Sequence, residues 1–176
     1  MEIIKIETGY LAENCYLIKM DNKCLVVDPG EDSDIIISKI GNLEVLAILI
    51  THNHYDHVGA LEEIKEKYKI PVYNFESCIE NEYTIGPFKF KVVFNPGHSK
   101  DSISFYFEQE KIMFVGDFVF LGTVGRCDFE GGNYIEMLNS IEKLKKYPDD
   151  IVLYPGHGEK TTILMEKKNN IYFNQY

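Results

Sequence analysis

This chain of 176 residues has no tryptophan, few prolines and no long apolar run, and its 18 basic residues include a single arginine, Arg126. Each shortage closes off a class of protein. The longest strictly aliphatic stretch, Leu46-Ala47-Ile48-Leu49-Ile50, falls far short of the roughly 20 residues that a membrane-spanning helix requires. Glu2, Lys5, Glu7, Glu13 and Lys19 interrupt the N-terminal stretch where a secretory signal needs an unbroken apolar block, so a cytoplasmic protein is expected. The four cysteines show no C-x-x-C pairing, which removes a zinc ribbon and leaves reduced thiols as the expectation. The net charge is −10 and the lysines are scattered among glutamates, a pattern that disfavours nucleic acid or any other polyanion as partner.

What the chain does have is core material throughout: 45% of residues are hydrophobic and 13% aromatic, enough for one globular domain over residues 1–176. Runs at 2–7, 14–20 and 23–28 predict an antiparallel opening meander that ends at Asp28-Pro29-Gly30. Asp32 or Ser33 is expected to cap a short helix to Ile40, and a buried strand follows from Val45 to Thr51. A helix is expected over 60–69, strands over 88–94, 102–107 and 111–115, a helix from the cap Asn133 to Leu144, and a last strand over 151–154. Strands and helix, then strands and helix again, predict two packed sheets with helices on the outer faces.

The polar residues cluster where those strands end. Residues 51–59 read Thr-His-Asn-His-Tyr-Asp-His-Val-Gly, placing His52, His54, Asp56 and His57 directly after an apolar strand. In extended backbone His52 and His54 face the same way, and a turn can carry Asp56 and His57 to a neighbouring point, which makes two half-sites for two metals. A merely solvated loop is a poor alternative, because crowded imidazoles repel one another once protonated. The other two histidines, His98 and His157, each follow a strand and a Pro-Gly turn. Asp117, after Gly116 at a strand end, supplies a candidate anionic bridge, although an Asp after Gly is by itself more often a turn residue.

These segments, together with Asn14-Cys15-Tyr16, Gly125-Arg126-Cys127-Asp128-Phe129 and Pro155 to Gly158, resemble a metallo-β-lactamase-fold hydrolase of the glyoxalase II (hydroxyacylglutathione hydrolase) type over nearly the whole chain. The resemblance implies a four-layer αββα sandwich of the α/β class. It also implies His52, His54 and His98 on one metal, Asp56, His57 and His157 on a second, and Asp117 between them. Asp28 would lie behind the ligands and tie down their loop. Two divalent ions are implied, zinc first and iron or manganese otherwise. A metal-bridging hydroxide would hydrolyse a small thioester like S-lactoylglutathione, with Asp56 and Asp117 as the catalytic carboxylates. His57, and the lack of a cysteine at any ligand position, set the chain apart from the commonest zinc β-lactamases. The short stretch beyond Gly158 sets it apart from glyoxalase II enzymes that grip glutathione with a helical extension.

Three other readings share these residues. A mononuclear-iron persulfide dioxygenase would use His52, His98 or its neighbour, and Asp117, leaving His54, His57 and His157 idle. A metal-binding domain without turnover and an RNA phosphodiesterase are the others, the last opposed by the net charge. The lone Arg126 is expected to fork onto a carboxylate beside the site, Asp28, Asp56 or Asp128, and so hold residues 122–132 against the ligands, where a surface cation is the plainer reading.

Overall fold

A computed structural model describes residues 1–174. The chain opens with β1 (Glu2–Thr8), β2 (Glu13–Met20) and β3 (Lys23–Val27), an antiparallel meander as the alternating sequence predicts. Helix α1 (Ser33–Ile40) then crosses to β4 (Glu44–Leu49), which pairs parallel with β3, and α2 (Tyr55–Val58) and α3 (Leu61–Tyr68) lead to the short β5 (Val72–Tyr73). The second half runs through β6 (Glu82–Ile85), β7 (Phe88–Phe94), β8 (Ile103–Phe107) and β9 (Ile112–Gly116). The hairpin β10 (Val119–Phe120) and β11 (Thr123–Val124), helix α4 (Tyr134–Leu144), β12 (Val152–Pro155), β13 (Thr161–Thr162) and α5 (Ile163–Asn169) follow. One sheet has the order β1-β2-β3-β4-β5 and the other β13-β12-β9-β8-β7-β6.

Three apolar layers hold these elements together. Tyr16, Ile18, Leu25, Val27 and Leu49 from the first sheet meet Phe88, Phe90, Phe105, Phe107 and Phe114 from the second. The alternate residues Leu17, Val26 and Ile48 face outward onto Ile36, Ile40 and Ile64 of α1 and α3. Val93, Met113, Val115 and Leu153 pack on Met137, Ile141 and Leu144 of α4 and on Ile163 of α5. Both faces of both sheets are therefore covered, giving the expected α/β sandwich in the order helix, sheet, sheet, helix. Among the described residues no helix is long and apolar enough to cross a membrane, and all four cysteines are free thiols.

Two expectations change. Asn133 caps α4 as predicted, accepting from the amides of Ile135 and Glu136, but Asp32 does not cap α1. Its backbone is left-handed and its carboxylate accepts the Gly9 amide at 2.8 Å, so the same side chain fastens the β1–β2 turn instead. The elements the sequence did not announce are β5, β6, β10, β11, β13, the single-turn α2 and α5. Four of these are two residues long, too short for a period, and α5 spans seven, with Thr162 capping it by accepting the Met165 amide.

Phe114 is fully buried between the sheets, edge-on to Tyr16 and Phe107 and stacked on Tyr154. Phe114→Ala leaves a cavity that rigid sheets cannot close, and is expected to cost about 3–5 kcal/mol in denaturant unfolding of the metal-free protein. A cost below about 1 kcal/mol would show that the two sheets are not packed through this ring.

Candidate metal centre

The loops beyond β4, β7, β9 and β12 meet at one edge of the sandwich. Residues after β4 bring His52, His54, Asp56 and His57, those after β7 bring His98, those after β9 bring Asp117 and those after β12 bring His157. Three groups result in which the donor atoms lie within 4.8 Å of one another: His52, His54 and His98; Asp56, His57 and His157; and His52, His57 and Asp117. His98 Nε2 is 2.8 Å from His54 Nδ1, and His157 Nε2 is 3.1 Å from Asp56 Oδ2. Asp117 stands between the first two groups, its Oδ1 3.2 Å from His57 Nε2 and its Oδ2 3.6 Å from both His98 Nε2 and His157 Nε2.

The partners on the far side of each ring fix which nitrogen faces inward. His98 Nδ1 lies 2.7 Å from the Arg126 carbonyl and His157 Nδ1 3.2 Å from the Leu11 carbonyl, and a carbonyl only accepts. His57 Nδ1 lies 3.0 Å from Asp28 Oδ2. Thr51 donates its hydroxyl proton to Asp28 at 2.6 Å, so its oxygen is free to accept from His52 Nδ1 at 3.1 Å. Four imidazoles thus carry their proton on Nδ1 when neutral and turn the Nε2 lone pair toward the centre. Of those inward atoms, His52 Nε2, His57 Nε2 and Asp117 Oδ1 are buried without any hydrogen-bond partner. Buried polar atoms left unpaired are costly and rare. Lone pairs of imidazole and carboxylate aimed at a common space fit divalent cations, and the residues present suit that occupant.

Comparison with known proteins points to a metal-binding family. The sequence profile of the metallo-beta-lactamase superfamily matches residues 8–77 and 75–157. The chain belongs to that superfamily. Members of that superfamily are metal-dependent hydrolases. It is 35% identical to a probable metallo-hydrolase, YqgX, of Bacillus subtilis (strain 168), over 98% of this chain and 97% of that one. It is 32% identical to the hydroxyacylglutathione hydrolase GloC of Haemophilus influenzae, over 99% of both chains. Among solved structures, that of the B3 metallo-beta-lactamase BLEG-1 superposes with a TM-score of 0.94 at 30% identity, covering 98% of this chain and 99% of that one.

Within the centre, burial and neighbouring charges set the electrostatics. Burial and the neighbouring His57, His98 and His54 push His52 well below the ordinary histidine range, so it is a neutral donor at neutral pH. Burial also pulls on His57, but the carboxylates of Asp117 and Asp28 outweigh it and raise this imidazole well above its ordinary value. Asp56 is held down at about 2 by the hydrogen bond from His157. Asp117 stays low because His57 overcomes the opposing effect of burial.

Behind the ligands stand Asp28, expected there from the resemblance, and Thr51 and Glu13, which were not assigned such a place. Asp28 accepts both the amide and the hydroxyl of Thr51, so Thr51 links it to His52 while its other contact reaches His57. Glu13 is buried beside them, with Oε2 accepting the Thr8 hydroxyl and Oε1 3.7 Å from His57 Nδ1; burial pushes its carboxyl up to about 10. A charged letter at the start of a strand gives no sign of such burial. Gly156 is required by close approach, because a Cβ there would stand 2.4 Å from both Asp117 Oδ1 and His57 Cε1.

Arg126 differs from expectation in part. Its guanidinium does fork onto a carboxylate, Nε and Nη2 lying 2.6 and 2.7 Å from Asp128, but both side chains are exposed and belong to one loop. Asp28 and Asp56 are already engaged by Thr51, His57 and His157, so the fork does not fasten residues 122–132 to the ligands. Arg126 reaches the site through its main-chain carbonyl on His98 instead.

Asp117→Asn keeps the shape of the side chain and removes its charge. Metal content after dialysis should fall below two ions per chain and turnover by on the order of 100-fold or more, while the metal-free fold stays within about 1 kcal/mol of the parent. Full metal content with normal turnover would make Asp117 a turn residue.

Proposed function

We propose that the chain is a binuclear hydrolase of small thioesters, working as a single cytoplasmic catalytic unit over residues 1–176 on a small-molecule substrate. The observation that carries this reading is the set of seven inward donors divided between two groups by Asp117. His52, His54 and His98 would hold one divalent ion and Asp56, His57 and His157 the other, with Asp117 in reach of both; zinc suits the imidazole-rich set, and iron or manganese are the other candidates. Bound there, such ions supply an activated water and polarise a carbonyl oxygen.

The chain's own residues do the positioning. Asp28 and Thr51 keep the rings of His57 and His52 turned inward, and the carbonyls of Arg126 and Leu11 do the same for His98 and His157. Asp56 and Asp117 keep negative charge beside the imidazoles and would be the carboxylates that take part in the reaction. His54 and Asp56 line the open cleft, so substrate approaches from their side. Support for a thioester comes from the likeness to a hydroxyacylglutathione hydrolase over almost the full length of both chains. The single-iron persulfide reading is opposed by His54, His57 and His157, all of which point their donors into the centre. Lactam hydrolysis, set aside on the sequence, returns as an assay because a similar fold is that of a B3 β-lactamase.

The test assays one metal-loaded preparation against two small thioesters, S-lactoylglutathione and an uncharged acyl-N-acetylcysteamine, and against a chromogenic cephalosporin and oxygen uptake with glutathione persulfide. Thioester hydrolysis with kcat/KM of at least roughly 10⁴ M⁻¹s⁻¹, abolished by a chelator and restored by metal, is expected. A preparation inert toward thioesters that opens the lactam or consumes oxygen with persulfide would overturn the proposal.

A further inference from the structure

The cleft above the ligands encloses about 460 Å³, with His54, Asp56, His98 and Asp117 at its floor. Its walls are Leu11, Tyr55, Phe129 and Glu130, contributed by two loops and the start of α2. The three apolar side chains are 48%, 69% and 45% exposed. Singly, such residues are ordinary surface. Here each is tied to the donors: the Leu11 carbonyl receives His157 Nδ1, Tyr55 lies between His54 and Asp56 in sequence, and the Phe129 ring stands 5.6 Å from that of His54 and 6.2 Å from that of His98. A ligand bound at the centre would lie against this apolar surface.

The charges point the same way. Among the described residues no lysine or arginine lines this cleft, and its one charged wall residue is Glu130. Arg126, whose guanidinium lies 4.1 Å over the Phe129 ring, has its fork occupied by Asp128, and the Lys100 stem runs beside Gly131. The chain as a whole carries −10. An anionic group on the flank of a substrate, away from the metal floor, therefore meets the Glu130 carboxylate and no cationic side chain of the lining.

We propose that this cleft selects thioesters whose flanking groups are apolar and uncharged, and discriminates against thiol carriers bearing free carboxylates. The proposal deepens the thioester hydrolase reading and rests on it for the reaction, while the selectivity itself is a property of the walls. A matched pair of uncleavable thioethers separates the two: S-hexylglutathione and N-acetyl-S-hexylcysteamine carry the same alkyl chain and differ in their carboxylates. Titrated into the metal-loaded protein, the uncharged ligand should bind about tenfold more tightly or better. Glu130→Lys should narrow that ratio by about fivefold or more, and Phe129→Ala should weaken the uncharged ligand by about fivefold, with melting curves confirming that both exposed-loop variants are folded. S-hexylglutathione binding as tightly as the uncharged ligand, or a ratio unmoved by Glu130→Lys, would overturn the proposal even if thioesters are cleaved. Selective binding without cleavage of any thioester would support the assignment of the cleft and overturn the thioester reading instead.

Discussion

The structure turns on the direction in which four imidazoles point. A carboxylate, a hydroxyl and two main-chain carbonyls hold the outer nitrogens of His57, His52, His157 and His98, and so force the inner nitrogens to face one another and Asp117. Protein atoms alone leave that arrangement unsatisfied, with His52 Nε2, His57 Nε2 and Asp117 Oδ1 buried and unpartnered. A fold bears such a local penalty only where its packing is strong and where a ligand relieves the penalty. Here the three apolar layers provide the first condition, and divalent cations are the chemistry that meets the second.

Neither sheet could build this centre alone. The first sheet carries His52 to His57 beyond β4, and the second carries His98, Asp117 and His157 beyond β7, β9 and β12. β2 fastens the two halves: the Asn14 amide donates to the Gly156 carbonyl, the Asn14 side chain to the carbonyls of Pro155 and Gly158, and the Tyr16 hydroxyl to Pro155. These bonds cross from one sheet to the loop that bears His157. The same loop brings Gly156 against Asp117 and His57, so the sheet packing and the spacing of the donors are one constraint. Metal binding should for this reason stabilise the sandwich as a whole rather than one loop.

Much of this was legible in the sequence because its signals were periodic or chemically rare. Strands that bury both faces read as apolar runs, α4 showed its apolar stripe and its Asn133 cap, and five histidines at strand ends pointed to one edge of the fold. What stayed hidden depended on partners distant along the chain. Nothing local tells that Glu13 is buried beside His57, that Thr51 relays Asp28 to His52, or that Asp32 turns to the Gly9 amide and leaves α1 without a side-chain cap. Arg126 shows the limit of reasoning from composition: the fork exists, but it closes on Asp128 two residues away, and the contact with His98 runs through a carbonyl that every residue type possesses.

The two-ion centre is tested most directly by anomalous diffraction from crystals of the metal-loaded protein, recorded at the absorption edge of the bound metal. Two peaks are expected, one among His52, His54 and His98 and the other among Asp56, His57 and His157, with Asp117 touching both. A single peak, or peaks that leave His54, His57 and His157 uncoordinated, would contradict the account.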